Sequence, residues 1–449
     1  MEELTRLNPW WKNKHAIEDD FHLTKVKQAV ITWHPRLIPK LIPGIYSIRG
    51  PRQIGKTTWI KQTIRELLQS VSPENIMYFN CDLLHSNEDL VKTIRAYTEL
   101  LQPTGIKYIF LDEVSYVPEW QLGVKHLYDS GELKDMVLVI TGSYSIDIKK
   151  AFEKLPGRLG EGKRHYKLLP LTFREYLSII NSSLLEKKNL KLYIEELNRE
   201  FKDYVLTGGF PAVIDYYKKN GFIDESLYET YKNWIIGDLE KWGKSERNSK
   251  QIFKKIFETY TSEVNWDTLS GSTDIKSPTT IKEYVSSFED IFAVELVHKM
   301  DYNKKTPDYP KSKKIYFSDP FVYYSVWKWC FGEENCFVFF KEQLQNSLFL
   351  SKIIEGMVLN HLTKKLEQKS SLDRFDYKES VFYWRNRTNS AEVDFVLKQK
   401  LQAFEVKWSE QIRSIEGRKY FKNLLLLTKN LEGKGTEPIS LFLSGDDFG

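Results

Sequence analysis

Cysteine is scarce in this chain of 449 residues, with only Cys81, Cys330 and Cys336. No pair of them has C-x-x-C spacing, so neither a zinc ribbon nor a disulfide framework is indicated. A reducing, cytoplasmic setting is expected. Long apolar runs are missing too. No stretch approaches the roughly 18 uncharged apolar residues of a membrane span, so none is expected. The start, Met1-Glu2-Glu3-Leu4, is acidic and has no apolar core, so no signal peptide is expected. Charge of one sign is also lacking. Sixty-six Lys and Arg face 61 Asp and Glu, leaving a net charge of +5. That balance permits contact with nucleic acid without arguing for it. Internal repeats and low-complexity tracts are not seen.

What the sequence does hold is core material. Apolar residues make up 41% and aromatics 14%, well beyond a disordered chain. The length suits about three domains. Residues 1–35, with Trp10, Trp11 and the acidic Glu18-Asp19-Asp20, read as an arm packed on the next domain. From Leu41 strands and helices alternate. Strands are expected at Gly44–Arg49, Asn75–Asn80, Tyr108–Leu111, Met136–Thr141 and Tyr166–Leu169, with a helix at Lys56–Leu68. Such alternation indicates a parallel sheet covered on both faces.

The strongest motif is Gly50-Pro51-Arg52-Gln53-Ile54-Gly55-Lys56-Thr57-Thr58. It completes the G-x-x-x-x-G-K-[ST] pattern between an apolar strand and a helix. Backbone N–H groups of such a loop, and the helix N-terminus behind it, attract phosphate. Lys56 is placed to reach the β- and γ-phosphates of ATP, and Thr57 to offer a hydroxyl to Mg²⁺. Asp112 ends the apolar strand Tyr108–Leu111, where ligands of such sheets bind, and is expected to hold Mg²⁺. Glu113 is expected to orient and deprotonate the attacking water. Ser143 has two readings: a contact to the γ-phosphate or its water, or a plain turn residue. Arg158, in Leu155-Pro156-Gly157-Arg158, is either an arginine finger or a solvated loop residue.

Residues 171–245 look helical, interrupted by Thr207-Gly208-Gly209-Phe210-Pro211. Residues 249–330 read as three helices followed by strands. Trp266 would open one helix, and Ser277-Pro278 would cap another. This suits a winged helix-turn-helix with Tyr302–Lys314 as its wing. Residues 381–408 read as two strands turning around Lys398–Lys400. Alternation puts Glu392 and Asp394 on one face, and Glu405 and Lys407 on one face of the next strand. Asp394 and Glu405, with Glu355 from an upstream helix, could hold Mg²⁺. Lys407 could then activate a water against a phosphodiester, as in restriction-endonuclease-like domains. The plainer alternative is an exposed hairpin of alternating charges.

Taken together, the chain resembles the archaeal and bacterial AAA-type ATPases that carry a C-terminal DUF4143-like domain. The matching residues are Arg49–Thr58, Phe110–Trp120, Thr141-Gly142-Ser143, Leu168–Tyr176, Gly208–Pro211, Lys314–Asp319 and Glu392-Val393-Asp394 with Glu405-Val406-Lys407. They span residues 40–410, most of the chain. The resemblance implies an additional-strand P-loop core (residues 36–175), a helical lid (176–245), a winged helix (246–335) and a nuclease-like α/β domain (336–449). It also implies that Arg158 matches the family's post-sensor Gly-Arg. A homo-oligomer with that arginine acting in a neighbour's site would follow. ATP is the expected ligand and DNA an expected partner. A regulatory switch that recruits a protein partner, without processing nucleic acid, is the alternative.

Overall fold

The computed structural model describes residues 2–142, 155, 157–271, 273–373, 375–409, 415–431 and 433–446. The chain divides into two compact units. One is Met1–Leu169 with Ser371–Arg374, and the other is Pro170–Ser370 with Phe375–Gly449.

The first unit is built on five strands: β1 (Gly44–Arg49), β2 (Ile76–Asn80), β3 (Lys107–Asp112), β4 (Met136–Gly142) and β5 (His165–Lys167). Their order is β2-β3-β4-β1-β5, and every ladder is parallel. The sequence explains the central position of β4. Met136-Val137-Leu138-Val139-Ile140 is a continuous apolar run, buried throughout, as a parallel strand covered on both faces must be. β4 separates β1 from β3, which is the additional-strand arrangement expected.

Before the sheet come α1 (Glu2–Leu7) and α2 (Phe21–Gln28); around it lie α3 (Lys56–Leu67), α4 (Asn87–Leu101) and α5 (Trp120–Asp129). The arm docks on β2 by side chains that imitate a strand. The Asn8 amide donates to Tyr78 O at 2.9 Å, and its oxygen accepts from Tyr78 N–H at 2.6 Å. The Trp10 and Trp11 indoles both donate to Ile76 O, at 3.0 and 2.8 Å. Tyr78 N–H and O and Ile76 O of this edge strand are thereby satisfied, which disfavours pairing there with another chain.

The second unit opens with the helices Phe173–Ile180, Ile194–Thr207, Pro211–Asn220 and Glu225–Lys241, followed by Glu246–Glu258, Trp266–Gly271 and Pro278–Asp290. Ser277 caps the last of these, accepting from Thr280 N–H, with Pro278 in the first turn. The strands are β6 (Val294–Asp301), β7 (Thr306–Pro307), β8 (Lys313–Phe317), β9 (Val381–Arg385), β10 (Glu392–Leu397), β11 (Gln402–Lys407), β12 (Leu424–Thr428) and β13 (Thr436–Pro438). The β6–β8 hairpin spans the stretch Tyr302–Lys314 expected as a wing. It also pairs in parallel with β9, His298 lying opposite Phe382. Strands β6–β8 and the C-terminal strands therefore share one mixed sheet of eight. The 23-residue helix Ser347–Lys369 belongs to the same unit. Among the described residues, no helix is long and apolar enough to cross a membrane.

Candidate functional site

The phosphate loop turns directly from β1 into α3. Gly50 lies so close to the chain that an added Cβ would sit 2.1 Å from Leu168 O, so only glycine fits there. Gly55 precedes α3 with φ +98°, and no side chain caps the helix. A helix N-terminus in this position favours an anion. Ile54 is fully buried and anchors the loop. The Lys56 ammonium, itself buried, donates to Gly50 O and Pro51 O at 3.0 Å each. Arg52 reaches outward to the Tyr116 hydroxyl at 3.4 Å.

Asp112 ends β3 and is almost fully buried. Its Oδ2 accepts from Thr57 Oγ1 at 2.6 Å and from the Tyr78 hydroxyl at 3.2 Å. Its Oδ1 accepts from Thr141 Oγ1. Glu113 follows with left-handed backbone, φ +50°, and its N–H donates to Thr141 Oγ1 at 3.3 Å. Behind Tyr78 stands Lys61, its ammonium 3.5 Å from the ring centroid and 3.2 Å from Asp20 Oδ2. Burial pulls the Lys61 ammonium down, against the opposing pull of Asp20 and Asp112. Burial likewise pushes the Tyr78 hydroxyl far above its usual range, so it stays a neutral donor to the Asp112 carboxylate.

Ser143 lies outside the described residues. Arg158 is described, and it pairs with Asp129 by two contacts, Nε–Oδ1 at 2.7 Å and Nη2–Oδ2 at 3.2 Å.

In the second unit the carboxylates singled out from the sequence do converge. What they converge on is Lys314 of β8. Its Nζ lies 2.7 Å from Glu392 Oε1, 3.4 Å from Glu355 Oε1 and 3.5 Å from Asp394 Oδ1. The Tyr316 hydroxyl also donates to Glu355 Oε1, at 2.6 Å. Asp394 Oδ2 accepts from Val406 N–H at 2.9 Å. Glu405 lies beside this group and takes the Lys407 ammonium at 2.7 Å. Burial raises the Glu355 carboxyl to about 7 and the Glu405 carboxyl to about 8. Among the described residues, no group of three or more His, Cys, Asp or Glu is arranged to hold a metal ion.

Residues 43–177 match the AAA domain family. The chain carries an AAA-type ATPase domain. Residues 198–330 match a domain of unknown function, DUF8612, and residues 350–439 match another, DUF4143. Two uncharacterized proteins of Methanocaldococcus jannaschii are similar to it. One is 24% identical over 314 residues, 63% of this chain and 62% of that protein. The other is 25% identical over 417 residues, 88% of this chain and 82% of that protein. The chain thus spans less than two thirds of the first relative's length. Among solved structures, the Aeropyrum pernix Orc1 protein in complex with DNA aligns with 12% identity and a TM-score of 0.32, covering 74% of this chain and 97% of that one.

An AAA domain binds nucleotide, typically with Mg²⁺, and the oxygens on hand suit that ion. Mg²⁺ takes one or two protein oxygens and fills the rest of its sphere with phosphate and water. The Thr57 hydroxyl and Asp112 carboxylate form such a pair, already in contact at 2.6 Å. Two partners of the AAA domain's acidic residue were missed by sequence reading, Tyr78 and Thr141. Neither carries a mark of its own in the sequence; strand register places both. In the parallel register Ile140 pairs with Leu111 and Asn80 with Asp112. Thr141 therefore falls beside Asp112, and Tyr78, two places before Asn80, shares its face. Lys314 and Glu392 were missed as site residues for a different reason: their convergence depends on the pairing of β6 with both β8 and β9.

Proposed function

We propose that the chain hydrolyses MgATP in its AAA domain and uses the cycle to act on or with DNA. The observation that carries the hydrolysis is the buried Asp112 carboxylate touching Thr57 of the phosphate loop, with Glu113 next in the chain. Mg²⁺, when bound, neutralises charge that develops on the β- and γ-phosphates. The remaining work falls to side chains. Lys56 exchanges its two loop carbonyls for phosphate oxygens. Thr57 and Asp112 would hold the metal. Thr141 and Tyr78 keep the Asp112 carboxyl fixed by donating to both of its oxygens. Glu113 takes the proton of the attacking water. Its left-handed backbone turns its side chain away from the strand's alternation, separating base from metal ligand.

A DNA role is supported by the exposed Lys304, Lys305 and Lys311 on the β6–β8 connection. Cations so placed suit phosphate contacts that do not read sequence. A second reading has its own support. The exposed face of the helix Pro278–Asp290 carries Thr279, Lys282, Glu283 and Ser286, a mixed set that suits a protein partner as well as DNA.

One assay tests both parts. ATP hydrolysis is measured with and without duplex, forked and single-stranded DNA, in the wild type and in Glu113→Gln. We expect Glu113→Gln to lower kcat by about 10²–10⁴-fold while retaining nucleotide, the range for loss of a general base. Equal rates in the two proteins would reject the mechanism. DNA should raise the wild-type rate, and its binding should weaken steeply with salt, as counterion release requires. Slow, DNA-indifferent turnover with tightly held nucleotide would instead favour the switch.

A further inference from the structure

We propose that the Lys314 ammonium takes the place of a divalent cation in the C-terminal carboxylate cluster, so that this domain is a clamped scaffold that neither binds Mg²⁺ there nor cuts phosphodiesters. The reading is independent of ATP hydrolysis, since every residue it uses lies in the second unit.

The geometry is that of a filled site. Three carboxylates from two elements, Glu392 and Asp394 on β10 and Glu355 on the helix Ser347–Lys369, meet one Nζ at 2.7–3.5 Å. An ammonium carries three N–H donors and no acceptor, so its valence matches the three acids. The Lys314 side chain is only 2% exposed, and a charge buried that deeply is tolerated only where partners compensate it. Two further oxygens are committed as well: Glu392 Oε2 faces Arg385 Nε at 3.3 Å, and Asp394 Oδ2 takes Val406 N–H. Tyr316 shares Glu355 Oε1 with Lys314, and the buried Glu405 Oε2 has no hydrogen-bond partner among the described residues. Mg²⁺ demands oxygens at about 2.0–2.1 Å in near-octahedral array. It cannot gather these oxygens while an ammonium stands among them. Expulsion of Lys314 would in turn strand a buried cation on a β-strand.

Lys407 departs from the nuclease expectation in the same direction. Its side chain is 53% exposed and its ammonium is tied at 2.7 Å to Glu405, a carboxylate expected to hold metal. The expected metal set of Glu355, Asp394 and Glu405 therefore does not fit a divalent ion in this chain. The cluster gains a mechanical role in exchange. Lys314 joins the β6–β8 hairpin to β10 and to the long helix through a single buried charge.

Mn²⁺ can stand in for Mg²⁺ in the test. Free Mn²⁺ is followed by electron paramagnetic resonance during titration of the nucleotide-free full chain. Wild type, Asp394→Asn, Lys314→Ala and the double variant Lys314→Ala/Asp394→Asn are compared. Wild type and Asp394→Asn should give coincident curves. Lys314→Ala should gain a site at least tenfold tighter than anything in the wild type, and the double variant should lose it again. A wild-type site removed by Asp394→Asn overturns the proposal, as does a folded Lys314→Ala that gains none. Should Lys314→Ala fail to fold, Lys314→Met/Glu392→Gln, which removes one charge of each sign, replaces it with the same expected gain. A readout that needs no variant of Lys314 is plasmid cleavage by wild-type chain with Mg²⁺ or Mn²⁺. None is expected. Cleavage that disappears in Asp394→Asn also overturns the proposal.

Discussion

Tyr78 earns a role in the nucleotide site through its hydroxyl alone. Its backbone is tied to Asn8, its ring is covered by Lys61, and its OH meets Asp112 Oδ2 at 3.2 Å. Tyr78→Phe should leave the first two contacts in place and remove only the third. Hydrogen bonds to ionised groups are worth about 1.5–3 kcal/mol, but Thr57 and Thr141 still donate to the same carboxylate. We therefore expect a smaller loss, about 1 kcal/mol, seen as a roughly fivefold rise in the Mg²⁺ concentration that half-saturates ATP hydrolysis. Thermal stability should barely move. An unchanged Mg²⁺ dependence would reduce Tyr78 to a packing residue. The tyrosine also shows where sequence reading stopped. Asp112 and Glu113 stood out because an acidic pair ended an apolar strand. Tyr78, inside another apolar strand, carried no mark of its own, and only the β2–β3 register brings it to Asp112.

The signatures that set this chain apart in sequence turn out to be joints between elements. Thr172 caps the helix Phe173–Ile180 through a reciprocal capping box with Glu175, and Glu175 also binds Lys364 at 2.6 Å. Gly209 N–H donates to Asp319 Oδ2 at 2.8 Å, and Asp319 caps the helix Pro320–Phe331. A Cβ on Gly208 would lie 2.1 Å from Asp319 Oδ1, at φ +64°. Gly221, at φ +76°, has nothing within 4 Å of such a Cβ. Gly208→Ala should thus cost about 3 kcal/mol, strain plus collision, and Gly221→Ala only about 1 kcal/mol. Urea unfolding of the two variants separates these terms. His361 makes a pH-dependent joint. Its Nε2 accepts from Phe173 N–H at 2.5 Å, and its Nδ1 lies 2.9 Å from Met357 O. That places the proton on Nδ1 and leaves the ring neutral, and burial lowers its pKa to about 3. The unfolded chain binds this proton at about 6.5, the folded one only near 3, so stability is lost as pH falls below 6.5. The loss should approach about 1.4 kcal/mol per pH unit, and His361→Gln should flatten that slope between pH 6 and 4. The elements themselves were legible from sequence because their periods are local. The expected strand at Gly44–Arg49 and the helix starting at Lys56 fall where the structure has them. The union of β6 with β9 was not legible, since nothing in either segment names its partner.

For the molecule as a whole the open quantity is whether its ATP site is complete within one subunit. The described residues around the phosphate loop include Lys56 and Thr57, and the cation that resemblance points to, Arg158, is paired with Asp129 of the same chain. This pair sits at the surface, where solvent screens it and its loss costs little. Nothing in that pair prevents Arg158 from leaving Asp129, so a finger role is open to test. Arg158→Ala should lower kcat by about 10³-fold or more, the usual worth of such a finger, with little change in nucleotide affinity. Asp129→Asn should not lower it. The decisive measurement mixes two inactive proteins. Arg158→Ala keeps an intact base and lacks the finger; Glu113→Gln keeps the finger and lacks the base. If Arg158 acts across subunits, mixed oligomers contain sites with Glu113 from one chain and Arg158 from the next. An equimolar mixture should then hydrolyse ATP well above the sum of its parts, with activity rising as total protein concentration drives assembly. If Arg158 acts within its own chain, no mixed site contains both groups, and the mixture stays as inactive as its components at every concentration.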